Sequence, residues 1–171
     1  VLGPLGNTFG YEKSFGTALI VAGGIGVAPF PYLTRVLKEK GIPTVTFLGA
    51  RSTSRVVRDG LENLHIATDD GSEGFHGNVI GALAEYMQTH DVDRPMIFAC
   101  GPNPMLQATQ SFAHEHDILC ELSLESEMAC GMGICQGCPI EHHGGGRKYT
   151  LVCTDGACFD SHDIIFHEHH A

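Results

Sequence analysis

The sequence has no tryptophan, and only ten lysines and arginines stand against twenty aspartates and glutamates. A formal net charge of −10 excludes the broad basic face that nucleic-acid binding needs, and it leaves an acidic surface suited to a basic partner. No apolar run reaches the roughly eighteen residues of a membrane-spanning helix, so no membrane partner is expected. No basic-then-apolar leader opens the sequence either. Its seven cysteines therefore read as those of a cytoplasmic, reducing compartment, where thiols serve metal and redox chemistry. Also missing are a Ser/His/Asp set with a nucleophile loop and paired carboxylates in a hydrolytic context. The chemistry is left to bound cofactors.

What is present centres on Met128-Ala129-Cys130-Gly131-Met132-Gly133-Ile134-Cys135-Gln136-Gly137-Cys138, with Cys153 further on. The spacing C-x4-C-x2-C followed by a distant cysteine is the plant-type pattern for a [2Fe-2S] cluster, whose two irons take two thiolates each. One tight loop must gather the first three sulfurs. Gly131, Gly133 and Gly137 suit it, because glycine reaches positive φ without a Cβ clash. Such a loop also turns backbone N–H groups toward the sulfurs. Structural zinc is the competing reading, but zinc usually takes two well-separated short knuckles. Here Cys153 has no close second cysteine, and Cys158 is too far along for a good one. Cys120 and Cys158 read as packing residues. His142-His143 and the tail His167-Glu168-His169-His170 read as a solvated loop and a chain end.

Upstream, short apolar runs alternate with helical periodicity. Strands are expected over 17–22, 43–49, 64–68, 96–100 and 118–124, with helices over 32–40, 78–89 and 104–114. That alternation implies an α/β fold with a doubly wound, parallel, five-stranded sheet. The composition shifts at residue 125 to glycine, cysteine and histidine. Residues 17–124 therefore read as a nucleotide-binding domain and 125–171 as a small cluster domain. The glycine-rich segment 1–16 reads as a linker or surface loop, or as one that touches a cofactor.

Between the first strand and first helix stands Gly23-Gly24-Ile25-Gly26-Val27-Ala28-Pro29, with Pro29 and Pro31 opening the helix and Gly41 closing it. Glycines before a helix N-terminus make a phosphate site, and a tight turn is the alternative reading. The motif is not the G-x-G-x-x-G fingerprint, and no acidic residue ends the second strand. Arg51 and Arg55 stand there instead, ready for a 2′-phosphate or simply solvated. Asp70 follows the third strand at a carboxyl end, where ligands bind in open sheets, though a plain turn reads equally well. Cys100 and Gly101 end the fourth strand, small enough to let a flat nicotinamide approach. A buried strand cysteine is the alternative.

Together these residues resemble the electron-transfer subunits of dihydroorotate dehydrogenase B, within the ferredoxin–NAD(P) reductase superfamily. The resemblance is carried by Gly3-Pro4-Leu5-Gly6, the 23–29 glycine run, Cys100-Gly101-Pro102-x-x-Met105, the 125–138 cysteine run, and Cys153 with Asp155-Gly156. It implies cofactor-binding positions at Gly23, Gly24, Gly26, Val27, Ala28, Pro29, Cys100, Gly101, Pro102 and Met105. It likewise implies cluster ligation by Cys130, Cys135, Cys138 and Cys153. The family passes electrons among NAD(H), FAD, a [2Fe-2S] cluster and the FMN of a separate catalytic subunit that converts dihydroorotate to orotate for pyrimidine synthesis. Its FAD-binding barrel precedes the nucleotide domain. Val1 is not a methionine and no barrel is present, so the sequence reads as a truncated member with 1–16 as the linker from that barrel. Ala157 stands where the family has proline. Two rivals remain: the small subunit of an NADH-dependent ferredoxin oxidoreductase or hydrogenase, and a zinc-stabilised, non-catalytic nucleotide-binding module.

Overall fold

The computed structural model describes residues 1–143 and 148–166. Nine strands and four helices succeed one another: β1 Thr17–Gly23, α1 Phe30–Glu39, β2 Thr44–Ala50, β3 Leu64–Thr68, β4 Phe75–His76, α2 Val79–Thr89, β5 Pro95–Cys100, α3 Asn103–Glu115, β6 Leu119–Ser123, β7 Pro139–Glu141, β8 Tyr149–Leu151, α4 Val152–Asp155 and β9 Cys158–Asp160. Seven strands form one sheet in the order β4-β3-β2-β1-β5-β6-β9, and β7 pairs with β8 in a separate hairpin.

The five expected parallel strands make the middle of that sheet. Two short strands extend it beyond the expectation. The two-residue β4 adds in parallel to β3, and β9 adds antiparallel to β6 from the cysteine-rich region. Neither is long enough to show a period in the sequence.

Strand alternation divides the core in two. Leu19, Val21, Phe47, Ile97 and Leu122 face α2 and α3, where Val79, Leu83, Leu106 and Phe112 cover them. Ala18, Ile20, Met96 and Phe98 face the other way, against Phe30, Leu33 and Leu37 of α1. Helix ends follow ordinary punctuation. Pro31 lies in the first turn of α1 and Gly41 takes φ +71° beyond its end. The Asn78 side chain caps α2 by accepting from the Gly81 N–H.

The segment before β1 is not merely surface loop. Phe9 and Phe15 are buried in T-shaped contact with the Phe98 ring, with centroids 5.4 and 5.6 Å away. Beside them the buried Glu121 carboxylate accepts the Gly10 N–H at 2.6 Å and pairs with Lys13 at 2.8 Å. These contacts fasten residues 9–15 to β5 and β6. Among the described residues no helix is long and apolar enough to cross a membrane.

Phe98 is fully buried at the meeting point of β5, α1 and the N-terminal segment. Replacing it leaves a cavity that three elements cannot jointly close. Phe98→Ala is expected to lower unfolding free energy by about 3–5 kcal/mol, read as a fall in the urea midpoint with little change in slope.

Candidate functional site

β1 pairs with β2 on one side and β5 on the other, so the chain departs to opposite directions after these strands. A crevice opens at that switch point, outside the carboxyl ends, as in other doubly wound sheets. Its volume is about 520 Å³. Gly23 and Gly24 floor it, Ala50 and Arg51 extend from β2, and Asp69 follows β3. The α2 start (Val79, Ile80) and the α3 start (Pro104, Met105) close its sides. Two helix N-termini thus border one cavity, which favours an anionic group there.

The glycines are required by packing as much as by ligand. A Cβ on Gly26 would collide with the backbone carbonyl of Cys100, and one on Gly101 would lie 3.1 Å from the Gly23 Cα. Gly23 itself lies against Met105 and Pro102. Gly24 is different. It has open space around it and φ +56°, so it needs glycine for its backbone alone.

Of the glycine run, Gly23 and Gly24 line the crevice, as do Pro102 and Met105. Gly26 lies buried beneath, and Val27 points into the core shared by Phe30 and Phe98. Ala28 and Pro29 lead into α1 away from the cavity lining. Cys100 is buried in the same core as Val27, and burial pushes its thiol pKa up. Arg51 stands at the crevice rim, exposed, while Arg55 ends a short turn outside the lining.

Asp70 lies outside the lining too. Its carboxylate accepts the Ser72 hydroxyl and backbone N–H, and these bonds hold its pKa down. Asp69, one position earlier, is the acidic residue on the cavity, and sequence reasoning passed over it. Adjacent carboxylates after a strand carry no signal of which one turns inward.

The second site is built by the loop before β7 and by α4. The Met132 and Cys135 N–H groups each donate to Cys130 Sγ at 3.4 Å, and the Gly137 N–H donates to Cys135 Sγ at 3.4 Å. Gly131 and Gly133 take φ +67° and +81°, which turns those amides inward. The amides hold the Cys130 thiol down to about 6, so it is a thiolate near neutral pH.

Cys153 sits in α4, and its hydrogen bond with Cys138, followed by burial, pushes its pKa up. The Val152 N–H donates to the Cys138 carbonyl at 3.1 Å, tying these two cysteines together through backbone as well. The Cys130 side chain interacts with that of Cys135 and the Cys153 side chain with that of Cys138, and Cys130 also acts on Cys153. Among the described residues no three His, Cys, Asp or Glu side chains converge on one ion position. The amide donors aimed at Cys130 and Cys135 suit thiolates of a net-negative cluster.

Cys120 and Cys158 are different in kind. Burial pushes each up to about 12, which keeps both as neutral thiols. His142 lies near Asp163, with Nε2 to Oδ2 at 3.8 Å, and its backbone bridges to Ile164. The histidine tail falls outside the described residues.

A family model for the iron-sulfur cluster binding domain of dihydroorotate dehydrogenase B matches residues 125–165. The electron transfer subunit of dihydroorotate dehydrogenase B (NAD(+)) from Enterococcus faecalis is 39% identical over 96% of this chain and 65% of its own length. That from Caldanaerobacter subterraneus subsp. tengcongensis is 35% identical over 97% and 66% respectively. The chain thus spans about 65% of the length of the curated relatives it matches. Among solved structures, an NADH-dependent reduced ferredoxin-NADP oxidoreductase superposes with a TM-score of 0.80 at 28% identity, over 96% of this chain and 59% of that one.

Fold and site together define a ferredoxin–NADP reductase-type nucleotide fold joined to an iron–sulfur-binding segment. Within that class, the chain's curated homologues are dihydroorotate dehydrogenase B electron-transfer subunits, and residues 125–165 match the iron-sulfur cluster binding domain of that enzyme.

The packing around the glycines separates two substitutions. Gly26→Ala forces backbone apart at the switch point and is expected to cost about 2–3 kcal/mol. Gly24→Ala meets only its unfavourable φ and is expected to cost about 1 kcal/mol. Thermal denaturation of the two variants beside the parent checks the order.

Proposed function

We propose that the chain is the electron-transfer component of an oxidoreductase, carrying electrons between NAD(H) and the FMN-containing catalytic subunit of a dihydroorotate dehydrogenase in pyrimidine biosynthesis. The observation that carries the reading is the set of Met132, Cys135 and Gly137 N–H groups that donate to the Cys130 and Cys135 sulfurs, in a loop closed against the α4 segment that bears Cys153 by the Val152 N–H bond to the Cys138 carbonyl. When bound, a [2Fe-2S] cluster at these four thiolates takes up and releases electrons one at a time.

The chain's own residues supply the rest. Gly23 and Gly24, with the α2 and α3 N-termini, receive the pyrophosphate of NAD(H), and Pro102 and Met105 wall the crevice beside it. Cys100 and Gly101 keep the strand end slim where the nicotinamide lies. Arg51 at the rim takes an adenosine 2′-phosphate or remains solvated, and Asp70 serves the turn it caps. FAD completes the cofactor set through the family. We assign the chain to the cytoplasm, where its thiols stay reduced.

A partner is supported by the surface. Met128, Met132 and Ile134 are 50%, 41% and 77% exposed around the cysteine loop. Such an apolar rim marks a docking surface. The likeness to the reduced ferredoxin-NADP oxidoreductase supports a second reading, in which a ferredoxin-linked partner takes the catalytic subunit's place.

The test is reconstitution. The anaerobically purified chain is expected to take up iron and acid-labile sulfide with visible absorption, and Cys135→Ser is expected to lose that absorption. With the FMN subunit and FAD, NADH oxidation is expected to depend on orotate. Stoichiometric zinc without sulfide would instead support the binding-module reading. Ferredoxin-dependent but orotate-independent turnover would favour the second.

A further inference from the structure

The segment ahead of β1 reaches the fourth cysteine as well as the sheet. The Asn7 backbone N–H donates to the Gly156 carbonyl at 2.6 Å. Its side-chain Nδ2 donates to the carbonyls of Asp155 and Cys158 at 2.9 and 2.6 Å. Its Oδ1 accepts the Cys158 N–H at 2.9 Å. One residue thus makes four hydrogen bonds to the turn that links α4 to β9.

A second contact is independent of that side chain. Gly6 has φ +74°, and a Cβ there would collide with the Gly156 carbonyl oxygen. The two backbones touch at a point where only glycine fits. Leu5, Gly6 and Asn7 also border a cavity of about 500 Å³ that Cys153 lines as well.

Cys153 is therefore held from both ends of α4. Before it, the Val152 N–H bonds the Cys138 carbonyl, and the Asp155 carboxylate accepts the Leu151 N–H at 2.8 Å and the Thr150 hydroxyl at 3.0 Å. After it, Asn7 fixes the carbonyls of Asp155 and Gly156. Without Asn7 that end keeps only the Leu124 N–H bond to the Ala157 carbonyl at 2.9 Å and the Gly6 backbone contact, which leaves the Cys153 sulfur less restrained.

We propose that Asn7 is a positioning residue for Cys153, holding the fourth sulfur beside Cys138. The inference rests on the cluster reading given above. A purely structural role makes a different demand, that Asn7 only fastens the N-terminal segment to the sheet. Lys13 fastens the same segment, through Glu121 and Asp160, without touching the 152–157 turn.

The parent chain, Asn7→Ala, Asn7→Asp and Lys13→Gln are reconstituted anaerobically with iron and sulfide. Decay of visible absorption is followed in excess ferrous chelator, and the reduced samples are examined by EPR. Asn7→Ala is expected to lose the cluster on the order of tenfold faster, with altered g values, as losses of ligand-supporting contacts do. Asn7→Asp keeps the acceptor for the Cys158 N–H but neither donor. It is expected to shift the same way, and it carries the comparison should the alanine variant not fold. Lys13→Gln is expected to match the parent in decay rate and spectrum while melting at lower temperature. A parent-like rate and spectrum in both Asn7 variants overturns the positioning role and leaves the cluster reading standing. Equal acceleration in Lys13→Gln assigns the effect to segment docking and overturns it too. A parent chain that takes up no cluster overturns the reading on which the inference rests.

Discussion

Registry across three strands fixes the relation between the two sites. Cys100 of β5 pairs with Ser123 of β6, and Ser123 pairs with Cys158 of β9. The end of β5, beside the crevice, and the start of the last strand therefore share one row of the sheet, two strand spacings or about 10 Å apart. β9 is antiparallel, so the chain entering it comes from the carboxyl-end side, where Cys153 lies. A longer or slipped β9 would carry α4 away from the crevice. Three residues of edge strand thus set the reach between the proposed donor and acceptor.

The same row shows how one chain can hold seven cysteines without confusing them. Metal binding requires thiolate. Cys120 and Cys158, pushed up to about 12 by burial, stay protonated and apolar. Cys100 is shifted the same way by the same cause. Cys130, ringed by amide donors, is pulled down to about 6. Local backbone direction, rather than cysteine spacing alone, separates sulfur for packing from sulfur for iron.

Much of this was legible in the residues. Leu19, Ile20 and Val21 are apolar on both faces because both faces of β1 are covered, and an unbroken run reports that condition directly. The C-x4-C-x2-C spacing reports its loop, since three thiols so close in sequence have few ways to meet. What escaped was non-local. Phe9 and Phe15 look unremarkable in a glycine-rich stretch, because the Phe98 ring they meet lies far along the chain. Two aromatic residues in an otherwise turn-forming segment were the available signal. Asn7 reads as one more turn residue until the strand edge 151 positions away supplies its partners. Asp69 and Asp70 differ only in which one the Ser72 turn engages, and periodicity does not encode that choice.

Exposure around the cysteine loop follows from what such a site must do. Cys138 is 4% exposed, whereas Cys135 is exposed outright. A cluster wholly inside the chain would be protected but distant from any second protein. One wholly outside would be solvated and easily lost. Here one pair is anchored toward α4, where backbone and side-chain bonds restrain Cys153, and the other faces outward in a loop rimmed by Met128, Met132 and Ile134. That rim is costly in water and becomes favourable once covered, about 25 cal/mol for each Å² of apolar surface removed from solvent. Covering it with the partner proposed above excludes water from the exposed sulfurs in the same step. Protection and contact are then supplied by one event, which is why the outer pair can be left open in the chain by itself.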